Sequence, residues 1–314
     1  MNIREKGKSL FAILKATYLE WNSDDPFRQS AVIAYYSIFS LPALLIIIIK
    51  VVGQVFGEEA IRGEIATQIS SAVGEEAAIQ VQDMIASVSQ QGDSTIAIIV
   101  GVGTLLFGAT GVFVQLQLSL NKVWEVEAKP ESGILKIALD RILSLGFIVG
   151  VGFLLIISLA LTAGLQALGN FIQRYLPDYL LYVFQVAEEM ISLGVITTLF
   201  AMIYKFLPDA KVEWRSVWIG AAVTAGLFVL GKIGLGIYFG QAEPGSAFGA
   251  AGAVILILLW VNYSALIFLF GAEFTQVYAR RKGHKIEPSN HAQWSAERRL
   301  ANYKNEYGIE RENA

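Results

Sequence analysis

The feature that most restricts this chain is a series of apolar runs, each long enough to cross a membrane as a helix and each bounded by charge, proline or glycine. They cover approximately residues 30–56, 94–120, 139–168, 180–206, 214–239 and 246–278. A hydrocarbon core of about 30 Å requires about 20 helical residues, and the longer runs can tilt or include interfacial turns. Barrel strands would alternate and be about half as long. The runs therefore predict an all-α, polytopic membrane protein, a six-helix transmembrane bundle. Composition agrees: 54% of the 314 residues are hydrophobic and 16% charged, against about 25% charge in soluble domains. Mean hydropathy is +0.53.

No hydrophilic stretch of domain size interrupts the runs, so residues 30–282 read as one membrane domain, preceded by segment 1–29 and followed by a polar tail, 283–314. The first run exceeds signal-peptide length and lacks a small-residue cleavage site, which predicts a retained anchor. Lysine and arginine resist translocation and mark cytoplasmic loops. Arg4, Lys6, Lys8, Lys15 and Arg28 precede the first run; Lys122, Lys129, Lys136 and Arg141 lie in the second connection; Lys205, Lys211 and Arg215 lie in the fourth. The tail adds Arg280, Arg281, Lys282 and Lys285 among others. The first and third connections carry only Arg62 and Arg174, and the fifth carries no positive residue. Both termini are thus expected in the cytoplasm.

Segment 57–93 is acidic and should lie outside. Ile61, Ile65 and Ile69 recur every four residues, and Ile79, Met84, Ile85 and Val88 continue the stripe, which predicts amphipathic helices on the outer face. At the inner face, Leu10, Leu14, Tyr18 and Trp21 with Lys8 and Lys15 predict a surface helix, making 1–29 a cytoplasmic amphipathic segment. The tail from His284 is low in aliphatics and is expected to be mostly exposed or without structure.

A charge inside a spanning helix is costly and usually faces the bundle interior, a wet cavity or a partner. Lys50, Lys232, Glu188 and Glu189 all fall roughly 9–14 Å below the expected outer boundary at about 1.5 Å per residue. Gln54 lies one turn from Lys50. Their matched depth suggests an outward-facing polar pocket for a charged or polar head group; the alternative is snorkelling lysines and a structural ion pair. Adjacent on one helix, Glu188 and Glu189 point in different directions.

An inner polar set comprises Gln115, Gln117, Asn121, Asp140, Arg141 and Glu273. Interfacial solvation accounts for most of it, whereas Glu273 is expected to pair with Arg141 or Lys122 as structural glue. Asn262, near the middle of the sixth run, should bond a neighbouring helix, a packing role ahead of a transport role. Gly146 and Gly150, Gly236 and Gly240, and Gly245 and Gly249 have the spacing of close helix contacts, and Gly101, Gly103, Gly108 and Gly111 punctuate the second run. Pro42 should kink the first run beside Tyr35, Tyr36 and Ser40, as gate or as shape.

The chain has no cysteine, which excludes disulfides and thiolate chemistry, and its formal net charge of −3 supplies no global attraction for nucleic acid. Nucleotide-binding loops, EF-hands and zinc-protease signatures are missing, so no catalytic residue, metal site or cofactor is assigned.

Three stretches carry a resemblance: AYYSIFSLPALL in the first run, YKFLPDAKVEWRSVWIGAAVTAGLF from the fourth connection, and GSAFGAAGAVILILLWVNYSALIFLFGAEF in the last run. With Leu120, Asn121 and Trp124, they make the chain resemble the YihY/BrkB family of bacterial inner-membrane proteins over about residues 10–282. The last stretch is the most specific; Phe248 departs from it where a tyrosine is expected. The resemblance implies six helices and a bacterial cytoplasmic membrane, but carries no settled activity. The family's older ribonuclease label needs clustered metal ligands, and the two histidines, His284 and His291, both lie in the tail. The expected function is a transporter or a lipid- or solute-handling protein, with membrane lipids and a polar or amphiphilic small molecule as partners. The alternative is a non-transporting envelope-integrity or virulence-associated factor acting through partners; a homo-oligomer is compatible with either.

Overall fold

The computed structural model describes residues 3–73, 95–129, 178–242 and 252–306, together with helical positions Ile79 and Gln82. The helices are α1 (Ile3–Ser23), α2 (Pro26–Phe56), α3 (Glu58–Val73), α4 (Thr95–Val123), α5 (Asp178–Phe206), α6 (Trp214–Ala242), α7 (Gly252–Lys282) and α8 (Ala296–Glu306). Short strands follow α4 (β1, Val126–Ala128), α5 (β2, Ala210–Lys211) and α7 (β3, Glu287–Pro288, and β4, Ala292–Trp294). The protein is an all-α membrane protein apart from these strands. The expected third run, 139–168, lies outside the described residues.

Among the described residues, three helical stretches are long and apolar enough to cross a membrane: Glu189–Phe206, Trp214–Phe239 and Val254–Lys282. Only 11%, 22% and 33% of their most apolar windows is buried inside the chain, which leaves apolar surface for lipid or another subunit to cover. The 31-residue α2 and the 29-residue α4 coincide with the first two runs. Helix α2 starts at Pro26, earlier than the apolarity does, because proline is preorganised for the first helical turn and Asp25 turns the chain with φ 53°. It continues through Pro42.

The chain divides into two compact units. The first comprises Met1–Asp24, Gln117–Ala225 and Leu269–Ala314; the second comprises Asp25–Leu116 and Gly226–Phe268.

Within the first unit, Ile13 of α1 packs with Phe274 and Val277 of α7, against Ile219 and Val223 of α6. The inward face of α1 is Ile13, Ala16 and Thr17, whereas Leu14 and Tyr18, joined by Phe11 and Leu19, are exposed. The exposed apolar stripe is compatible with the expected surface helix at a membrane face. Helices α6 and α7 approach through single glycines: a Cβ on Gly220 would lie 1.7 Å from Thr275 Oγ1, and one on Gly271 would lie 1.8 Å from Thr224 Oγ1. Glycine-repeat spacing does not mark this contact. Gly236 faces open space, while Gly146, Gly150, Gly245 and Gly249 lie outside the described residues.

The described part of the tail, to Glu306, is largely exposed but carries two short strands and a helix. Strand β4 pairs antiparallel with β1, Val126 opposite Trp294, and β3 pairs with β2, Ala210 opposite Pro288. Gly283, with φ 69°, ends α7 and turns the chain toward them. Polar segments of this kind order when their backbone groups find strand partners.

In the second unit, Gly108 and Gly111 of α4 sit against Phe39, Ser40 and Tyr36 of α2. At the other end of α2, Gly57 with φ 90° reverses the chain into α3, whose Ile61 and Ile65 are buried as the four-residue spacing predicts. The remainder of segment 57–93 is described only at Ile79 and Gln82; Ile79 is exposed.

Candidate functional site

Glu273 is the most informative polar residue of the first unit. It lies in a candidate span and is only 2% exposed. Of its two expected partners, Arg141 lies outside the described residues and Lys122 forms no ion pair with it among the described residues. Glu273 shares a hydrogen bond with Asp24, just beyond the end of α1. Lys122 stands instead 3.7 Å from Asp24.

The sequence places the other groups around this pair by local rules. Glu125 has φ 56° and turns the chain from α4 into β1. Arg280 belongs to the last turn of α7, where cations suit the helix dipole; it bridges Glu20 of α1 at 3.2 Å and Glu125 at 3.0 Å. The other carboxylate oxygen of Glu125 accepts from Arg298 of α8. Arg299 meets Glu127 at 2.8 Å, fastening α8 beside β1. The result is a cavity of about 380 Å³ whose charged lining is Glu20, Asp24, Glu125, Glu273 and Glu297 with Lys122, Arg280 and Arg298. Burial lifts the carboxyls of Asp24 and Glu20 above their ordinary values; the Glu273 bond and Lys122 oppose this at Asp24, and Arg280 opposes it at Glu20. Chemically, such a cavity can hold a small polar or ionic solute and exchange protons with it.

Of the inner set expected from sequence, Glu273 alone lines this cavity among the described residues. Asn121 is engaged elsewhere: its Nδ2 donates to Asp209 Oδ2 at 2.9 Å and its Oδ1 accepts from the Asp209 N–H at 2.7 Å, clamping the turn before β2. Gln115 and Gln117 are half-buried in α4, and Asp140 lies outside the described residues. Asn262 donates to Ser30 Oγ at 3.0 Å, the interhelical bond its depth predicts. Of the outer set, Gln54, Glu189 and Lys232 are exposed, and the side chains of Lys50 and Glu188 lie outside the described set. The cavity residues that sequence reasoning passed over, Glu20, Asp24, Glu125 and Arg298, all sit outside the apolar runs. No signal of buried charge marks them there; only their position beside the ends of α1, α4 and α7 could have drawn attention.

Helices apolar enough to span a membrane, with a charged cavity reaching a carboxyl inside one of them, define an integral membrane protein with an internal polar site. The chain belongs to the family described as Virulence factor BrkB, whose model matches residues 17–296. Its relatives are called UPF0761 membrane proteins. That of Verminephrobacter eiseniae is 28% identical over 56% of this chain and 40% of its own length. That of Saccharophagus degradans is 26% identical over 81% of this chain and 56% of its own. The chain thus spans about half the length of these relatives or less. It covers more of the Vibrio parahaemolyticus protein, 82%, at 26% identity over 86% of the chain. No solved structure matches the chain.

Proposed function

We propose that the protein is a proton-linked carrier of a small polar or ionic solute in the bacterial cytoplasmic membrane, with the charged cavity as its inner site. The observation that carries the reading is the buried Glu273, held inside a spanning helix by a hydrogen bond to Asp24 and lining a charged cavity. A carboxyl in a span is a functional-site hypothesis by default, and two neighbouring carboxyl groups in a charged cavity offer a place to exchange a proton as a solute binds. The lysine and arginine distribution supports cytoplasmic termini. The chain is read as non-enzymatic, without nucleic-acid partners.

The test is flux. Purified protein is placed in liposomes loaded with a pH-sensitive dye, and proton entry is followed on addition of amino acids, sugar phosphates or polyamines. Entry above that of empty vesicles for at least one class, lost in Glu273→Gln at unchanged folded amount, supports the carrier. Wild-type flux equal to empty vesicles across the panel would favour a non-transporting envelope factor, for which the ion-pair network around Arg280 would be structural.

A further inference from the structure

A second site lies elsewhere in the first unit, independent of the carrier reading. Phe206 is the last residue of one candidate span and Trp214 the first of the next, so residues 207–213 sit just beyond two span ends, at the level of a membrane interface. Phe206, Trp214 and Trp218 are 59%, 44% and 44% exposed and form a continuous ladder, with ring centroids 5.7 Å and 6.5 Å apart. Lys205 Nζ lies 5.4 Å over the Trp214 ring.

Beside the ladder is a shallow cleft of about 520 Å³ lined by Lys205, Lys211, Arg215 and Lys285 against the carboxylates Glu213 and Glu287. The lysines whose amines have described partners bond neutral oxygens: Lys205 donates to the Val212 carbonyl at 2.5 Å, and Lys211 to Asn290 Oδ1 at 2.8 Å. Glu213 already accepts the Lys285 backbone N–H and faces His284 at 3.9 Å. The cleft is left with net positive charge beside an exposed aromatic face.

We infer that this cleft is a binding site for the phosphodiester headgroup of an anionic phospholipid, with its acyl chains lying along Trp214, Trp218 and Phe206. Charge complementarity selects the anion, since basic pockets at helix ends bind anionic headgroups. The aromatic ladder selects a lipid over a free ion, because amphipathic rings at the interface contact both headgroup and chain. A zwitterionic lipid would bring its own cation to an already cationic cleft.

Native mass spectrometry of the full chain in detergent tests this, titrating phosphatidylglycerol, phosphatidylcholine or inorganic phosphate. Phosphatidylglycerol should be retained preferentially. Lys205→Gln/Arg215→Gln should reduce that preference roughly fivefold for each cation removed, and Arg215→Gln alone by one such step. Arg215→Gln carries the test if the Lys205 change disturbs folding. Lys304→Gln, on exposed α8, should leave the preference unchanged. Equal retention of the two lipids, or an undiminished preference in Arg215→Gln, overturns the site. Displacement of phosphatidylglycerol by inorganic phosphate at comparable concentration would overturn the lipid assignment in favour of a free oxyanion.

Discussion

At the scale of single residues, the contact between α6 and α7 rests on two glycines facing two threonines. Thr224 is fixed by bonds to the Gly220 carbonyl at 2.8 Å and the Tyr204 hydroxyl at 3.0 Å, so it cannot swing away from a new methyl at Gly271. Gly271→Ala should therefore cost about 1–3 kcal/mol, read from thermal unfolding in detergent. Adding Thr224→Ala removes the obstructing oxygen, and the double variant should be less destabilised than the sum of the single ones. Additivity would mean that the helices separate instead. Asp24 and Glu20 yield a second expectation. Their folded values are raised above 3.8 and 4.5, so the folded state binds more protons than the unfolded chain. Their contribution is fully present below those ordinary values and is lost as pH rises through the raised ones. Hydrogen exchange along α1, corrected for its intrinsic pH dependence, should show protection falling with rising pH, and Glu20→Gln/Asp24→Asn should flatten the trend. Protection that increased with pH would assign dominance to Lys122 and Arg280 and refute this.

At the scale of elements, long apolar helices were legible because lipid leaves so few alternatives: five runs coincide with α2, α4, α5, α6 and α7. The inner ends of the site were not. Glu273 stood out as a charge in an apolar run, but Asp24, Glu20 and Glu125 lie in polar sequence, where a carboxylate is unremarked until tertiary structure buries it. The strands of the tail were not legible for the same reason. Residues 287–288 and 292–294 have strand partners only at β2 and β1, far away in sequence, and no local pattern announces pairing over such a distance. The pairings imply that the tail holds the turns after α4 and α5. Ser295 N–H bonds the Glu125 carbonyl and Ser289 N–H the Asp209 carbonyl, both at 2.8 Å. Ending the chain after Gly283 should speed amide exchange at residues 126–129 and 209–212 while leaving α2 unchanged. Unaltered exchange at both turns would show that the tail merely rests on them.

At the scale of the whole molecule, orientation follows from where positive charge is placed relative to the spans. Helix α7 ends in Arg280, Arg281 and Lys282, the second connection carries Lys122 and Lys129, and the fourth carries Lys205, Lys211 and Arg215. By contrast, Gly240 to Gly245, which precedes α7, has no lysine or arginine. Each cationic group near a span end resists translocation, and agreement between consecutive loops supports the proposed orientation. The proposed even number of spans would put both termini on one side, with the charged cavity and the cleft at Trp214 there too. The chain has no cysteine, so single cysteines can report on sidedness without background. In intact cells, a membrane-impermeant maleimide should label Ser87→Cys in the acidic segment and should reach Ser132→Cys and Asn302→Cys only after permeabilisation. Labelling of Asn302→Cys in sealed cells would reverse the orientation and place the carboxyl cavity outside, where a proton-linked site would face the opposite compartment.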